Sequence, residues 1–153
     1  MIGIVKTQLS PCDNDFFLIH SLNQLVKTNT SSYLFCDEVA NSWQSSTIQA
    51  TLLHRAHAFS FNGILITDDL IRCQDFHNIP SAKKRFLYLY HLNWPHIPSL
   101  QFKHIKHILL NDNIGLIARS LSHAQLIEKL FKKPNYIMQE WNYQTLIEID
   151  NHE

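Results

Sequence analysis

Short apolar runs of strand length, rich in Ile, Val, Phe and Tyr, alternate along this chain with segments of helical period, and this alternation narrows the possible folds more than any other feature. Strands that succeed one another through helices pair in parallel, since a parallel crossover needs about a dozen residues or more. The run Phe61-Asn62-Gly63-Ile64-Leu65-Ile66-Thr67 is almost continuously apolar, the mark of a strand covered on both faces. Hydrophobic residues make up 45% of the chain, enough for a core, so a disordered chain is excluded.

The pattern places strands at 2–7, 32–37, 61–67, 86–91, 113–119 and 135–141. Between them, a helix from Asp13 carries Phe16, Phe17, Ile19, Leu22, Leu25 and Val26 as its apolar stripe. A helix is also expected over 41–57, where Ile48, Leu52, Leu53 and Ala56 recur at helical spacing. A short helix opens at Asp68-Asp69 and stops before Ile79-Pro80, because the residue before proline avoids the helical region. A further helix runs from Ser99 to about residue 111 with Phe102, Ile105, Ile108 and Leu109 inward. The next is capped by Ser120 or Ser122, carries Ala124, Ile127, Leu130 and Phe131, and ends at Lys132-Lys133-Pro134. The expected architecture is α/β: a single-domain three-layer αβα sandwich with a Rossmann-like, mainly parallel sheet of five to six strands. A chain of 153 residues suits one domain over 1–153, with 143–153 as a tail.

Thirteen basic and thirteen acidic residues give zero formal charge, so there is no global excess to draw the chain to phosphate backbones, and general nucleic-acid binding is not expected. The basic run Lys83-Lys84-Arg85 reads as a solvated strand entrance. Three cysteines at long spacings form neither a disulfide framework nor a C-x-x-C motif, which points to a reducing compartment. The apolar start is shorter than the core of about 7–15 residues that a signal peptide needs. No run approaches the ~18–20 apolar residues of a membrane span. A soluble, cytoplasmic protein without membrane association is expected.

In an open parallel sheet, ligands sit beyond the carboxyl ends of the strands. Those ends carry Asp37 and Glu38; Asp68 and Asp69; His91, Asn93 and Trp94; Arg119 and Ser120; and Glu140, Trp141 and Asn142. Asp68 and Asp69 are the candidate catalytic pair, as general base or hard-metal ligands, although Asp at a helix start also serves as a cap. Arg119, Ser120 and Ser122 stand at a strand-to-helix turn where hydroxyls, amides and a guanidinium can hold an anion. With His91, Asn93, Trp94, Glu140 and Asn142 they form the candidate ligand-binding set. The pairs His54/His57 and His104/His107 have zinc-compatible spacing but lack an H-E-x-x-H glutamate or flanking cysteines, so no metal site is assigned. There are only 3 glycines, and neither G-x-G-x-x-G nor G-x-x-x-x-G-K-[ST] occurs, which excludes the usual dinucleotide and triphosphate loops. No cofactor is indicated.

Phe59 to Asp69, Lys84 to Trp94, and Leu116 to His123 follow one another in a pattern that resembles a family of small proteins from marine tailed phages of the cyanophage type. In that family an aromatic-x-Gly strand ends in Thr plus a polar residue, an aromatic strand ends in Trp, and an Ala-Arg-Ser turn precedes a His. Its closing strand ends in an acidic-aromatic-Asn run, matched by Glu140-Trp141-Asn142. The resemblance spans about residues 55–145. It implies a phage-encoded protein in the host cytoplasm or in the virion. The topology is also similar to the N-terminal Rossmann-like half of two-domain glycosyltransferases. Such enzymes hold the sugar nucleotide chiefly with a second domain, for which this sequence has no room. Three readings follow: a ligand-binding or interaction module without an independent active site, a glycosyltransferase-like enzyme using a sugar nucleotide or other anionic small molecule, and a structural virion component. A protein partner or homo-oligomer is compatible with each.

Overall fold

The alternation becomes seven strands in one sheet, every neighbouring pair parallel. The computed structural model describes residues 1–40, 47–92 and 101–152. The strands are β1 (Ile2–Leu9), β2 (Ser32–Val39), β3 (Thr51–Leu53), β4 (Ile64–Thr67), β5 (Lys84–Leu89), β6 (Gly115–Ala118) and β7 (Tyr136–Ile137). The helices are α1 (Asp13–Lys27), α2 (Leu70–Cys73), α3 (Phe102–Leu109), α4 (Leu121–Leu130) and α5 (Tyr143–Asn151), with single 3-10 turns at Arg55–Ser60 and Asp75–Asn78. The order across the sheet is β3-β2-β1-β4-β5-β6-β7. After β1 the chain builds outward to β3, returns to the other side of β1 at β4, and builds away in the opposite direction.

Period-two alternation sorts the side chains onto two covered faces. Ile2 and Ile4, Ile64 and Ile66, Tyr88 and Ile117 pack with Leu18, Leu22 and Leu25 of α1 and Leu146 and Ile149 of α5. On the other face, Leu87, Leu89, Leu116 and Ala118 meet Leu70, Ile105, Ile108 and Ile127, while Val5, Phe35 and Leu65 meet Phe61, Phe76 and Ile79. The three-layer Rossmann-like sandwich is therefore present, with seven strands where five or six were expected.

Local departures have identifiable causes. Residues 51–57 do not form the expected helix: Thr51–Leu53 pairs with β2 as an edge strand, and a 3-10 turn follows. Leu52 is exposed and Leu53 half-buried, the alternation of a strand, and Ala56 faces solvent. Residues 41–46 of that span lie outside the described set. The last strand is shortened to Tyr136–Ile137, after which Met138 and Trp141 are buried off the strand. The expected tail instead forms α5, because Leu146 and Ile149 complete the core face that α1 covers in part. Phe16, Phe17, Phe102 and Leu130 are exposed rather than inward, since in each helix the core is already filled by neighbouring positions such as Leu18, Ile105 and Ile127.

Gly3 has a steric reason: a Cβ there would stand 2.7 Å from the Phe35 ring and 3.0 Å from Phe61 and Leu65. The bare backbone lets the aromatic cluster lie flat on β1.

Candidate functional site

The strand order reverses between β1 and β4, and the crevice beyond their carboxyl ends is the place where such a sheet holds ligands. There, β1 carries Lys6 directly after the apolar run Ile2–Val5. Its ammonium, almost fully buried, donates to Asp15 Oδ1 at 2.5 Å and to Asp68 Oδ2 at 2.8 Å. Burial by itself lowers the Lys6 pKa, but the attraction of Asp68 and Asp15 outweighs it and holds the ammonium above its ordinary value. The Ser10 amide donates to the other Asp15 oxygen at 2.7 Å. Asn14 donates to Asp68 Oδ2 at 2.6 Å and accepts from the indole of Trp141 at 2.8 Å, tying the start of α1 to both β4 and the segment after β7.

Thr67 closes β4 by donating to the Val5 carbonyl and accepting from the Asp69 amide. Asp69 then does two things at once. Its Oδ1 accepts from the Ile71 and Arg72 amides as the cap of α2, and its Oδ2 accepts from the Thr7 hydroxyl at 3.1 Å. Arg72 Nε donates to the same hydroxyl at 2.8 Å. Above them lies a cleft of about 350 Å3, lined by Lys6, Thr7, Asp68, Asp69, Tyr90 and His91 over an apolar wall of Leu70, Leu87 and Leu89.

Tyr90 joins this cleft to a second cluster. Its hydroxyl donates to Glu140 Oε2, Arg119 donates to Glu140 Oε1, and the guanidinium lies 4.3 Å from the centre of the Tyr90 ring. Glu140 has φ 53°, a left-handed conformation that costs a non-glycine residue about 1–3 kcal/mol. Burial and the Glu140 carboxylate raise the Tyr90 phenol to about 12. Desolvation opposes ionisation of Glu140, but hydrogen bonds from Tyr90 and Arg119 prevail and hold its carboxyl below the usual range. The hydrogen bond to Glu140 is also the main reason that the Arg119 pKa rises.

Asp68, Asp69 and His91, expected from the sequence, thus line one cleft, and Arg119 and Glu140 reach it through Tyr90. Ser120 accepts from the His123 amide as the cap of α4 and lies 2.9 Å from the Ser122 hydroxyl; Asn142 caps α5. Ser120 and Asn142 thus serve as caps at this end of the sheet, and Ser122 lies in the first turn of α4 beside Ser120. Asn93 and Trp94 lie outside the described residues. The sequence reading missed Lys6, Asp15, Asn14 and Tyr90, although a lysine inside Ile4-Val5-Lys6-Thr7 was a visible anomaly. Among the described residues no group of three His, Cys, Asp or Glu is arranged to hold a metal ion. His54 accepts from the Ala56 amide and approaches Asp37 at 3.4 Å, and His104 and His107 are exposed on α3.

Sheet order and cleft together define a Rossmann-like α/β domain with a crevice at its switch point where Lys6, Asp68 and Asp69 face an apolar wall. Comparison with family models, with curated proteins and with solved structures finds no match. Among the described residues, no helix is long and apolar enough to cross a membrane.

Proposed function

We propose that this chain is a ligand-binding module, without an independent active site, that holds a sugar nucleotide or a related hydroxyl-rich anionic molecule at the switch point between β1 and β4. The observation that carries this reading is the Lys6–Asp68 pair at the cleft floor. Lys6 and Asn14 both engage Asp68 Oδ2, which leaves the other oxygen to accept from a ligand hydroxyl. Arg119 spends one amino group on Glu140 and keeps further N–H donors for an anionic group. The carboxylates favour the hydroxyls and the guanidinium favours the phosphate, which suits a molecule bearing both.

A thermal-shift screen against nucleotide sugars, nucleotides and nucleosides tests it. A ligand at 100 times its dissociation constant adds about 2.7 kcal/mol, which raises the melting temperature of a domain this size by about 5–11 °C. Arg119→Ala is expected to abolish the shift with phosphate-bearing ligands and spare any shift with the matching nucleoside. No shift across the panel, or one unchanged in Arg119→Ala, would refute the assignment.

The catalytic alternative, a glycosyltransferase-like enzyme, is favoured by one observation: Asp68 and Asp69 stand side by side in the cleft. It requires sugar-nucleotide turnover by the native protein that disappears in Asp68→Asn.

A further inference from the structure

Acids and bases are mixed and paired at the carboxyl end of the sheet, where Lys6, Arg55 and Arg119 answer carboxylates, while unbalanced bases gather at the other end. Asp15, Asp37, Glu38, Asp68, Asp69 and Glu140 all lie at or just past the carboxyl ends of strands. At the opposite end, two adjoining concavities share Asp112 and Asn113. The first, of about 460 Å3, is lined by Lys83, Lys84 and Arg85 at the entrance to β5 and by Lys132 and Lys133 ahead of β7. The second, of about 630 Å3, continues onto α3 with Lys103 and Lys106. Seven of the 13 lysines and arginines therefore share one face, and Asp112 is the single acid among the lining residues. Lys132 donates to the Asn111 and Ile114 carbonyls, and Arg85 donates to the Ile79 carbonyl. Lys83, Lys103, Lys106 and Lys133 are exposed, and Lys84 is half-buried, reaching the His152 carbonyl at the surface.

We propose that this face binds the phosphate backbone of nucleic acid without reading sequence. A cationic surface needs only an anionic partner, and the choice among anions follows from what the face lacks. Interfaces with protein partners rest on a buried centre of aromatic or aliphatic anchors. Here the apolar lining is confined to Leu110, Phe86, Ile114 and Gly115, and Phe86 and Ile114 already belong to the core. What remains is an array of charges on a helix and two strand entrances, interspersed with Asn113 and Asn135 and beside the exposed His104 and His107 rings, which matches a run of phosphates. The zero net charge hides this arrangement, because it sums over the whole chain, in which Asp15, Asp37, Asp68 and Glu140 are paired with Lys6, Arg55 and Arg119 at the other end of the strands.

Fluorescence anisotropy with a labelled mixed-sequence DNA duplex of about 25 base pairs provides the test, with log affinity followed against log salt. Four engaged lysines give a slope of about −3.6, so affinity falls about 150-fold between about 50 and 200 mM salt. The Lys103→Gln/Lys106→Gln variant is expected to flatten the slope by about 1.8, and Lys83→Gln/Lys133→Gln by a similar amount. Lys27→Gln, on an exposed lysine outside both concavities, is expected to leave it unchanged. Melting temperatures of all variants separate lost binding from lost folding. Absence of binding at 50 mM salt, or a slope indifferent to both double variants, overturns the proposal. Equal or tighter binding of polyglutamate also overturns it and assigns the face to an acidic protein.

Discussion

Replacing Lys6 by Met removes the cation that two carboxylates share. Asp15 is 2% exposed and would keep the Ser10 amide as its remaining donor, while Asp68 would keep Asn14. Removing one partner of a buried ion pair typically costs about 3–5 kcal/mol, because a charge is left uncompensated in a poorly solvating site. For a domain of this size, that loss corresponds to a fall in melting temperature of about 6–20 °C. Urea denaturation followed by circular dichroism measures it directly. The deficit should shrink in Lys6→Met/Asp15→Asn, which retains an oxygen for the Ser10 amide and takes the charge away. In the parent protein the Lys6 pKa is raised on folding, so its contribution is complete below the ordinary lysine value and is lost as pH climbs through the folded value. A cost below about 1 kcal/mol in Lys6→Met, or a double variant no more stable than the single one, would refute the view that the triad holds the cleft floor together.

Alkaline titration followed by tyrosinate absorbance should remain incomplete at about pH 11, because burial pushes both Tyr88 and Tyr90 up, Tyr90 to about 12; full ionisation of all five tyrosines there would contradict the buried Tyr90–Glu140 contact. A thiol reagent should label Cys12 rapidly and Cys36 and Cys73 only on unfolding, since Cys12 is exposed while burial pushes Cys73 to about 12 and raises Cys36; three fast thiols in the native protein would speak against this packing. Gly3→Ala should cost about 1–3 kcal/mol in urea denaturation, because the new methyl meets the Phe35 and Phe61 rings, and an unchanged midpoint would show that the cluster yields. Arg119→Ala should leave Glu140 without its guanidinium. Because the Glu140 pKa is lowered on folding, its contribution is present above the unfolded value and lost as pH falls through the folded one, so the variant should lose part of that acid-side dependence in pH-resolved melts and keep the part due to the Tyr90 hydrogen bond.

Sequence periodicity sufficed for the layers, the parallel sheet and the strand ends where Asp68, Asp69 and His91 line the cleft, because alternation and helical spacing are local properties of neighbouring residues. It failed at β3, whose three residues are a strand only because β2 offers hydrogen-bonding partners, and it overran β7, which keeps Tyr136–Ile137 of the expected 135–141. It failed again at α5, where Leu146 and Ile149 have meaning only against α1 and the sheet face. The candidate site divides in the same way. A carboxylate at a strand end can be read from the chain, whereas the pairing of Lys6 with Asp68 spans 62 positions and that of Trp141 with Asn14 spans 127. The gathering of Lys83, Lys84, Lys103, Lys106, Lys132 and Lys133 around two adjoining concavities is likewise invisible in a composition that sums to zero. Local spacing chose the elements. Which charges meet, and which are kept apart, was decided by the order in which the parallel strands were laid side by side, since electrostatic energy depends on distance in space and not along the chain.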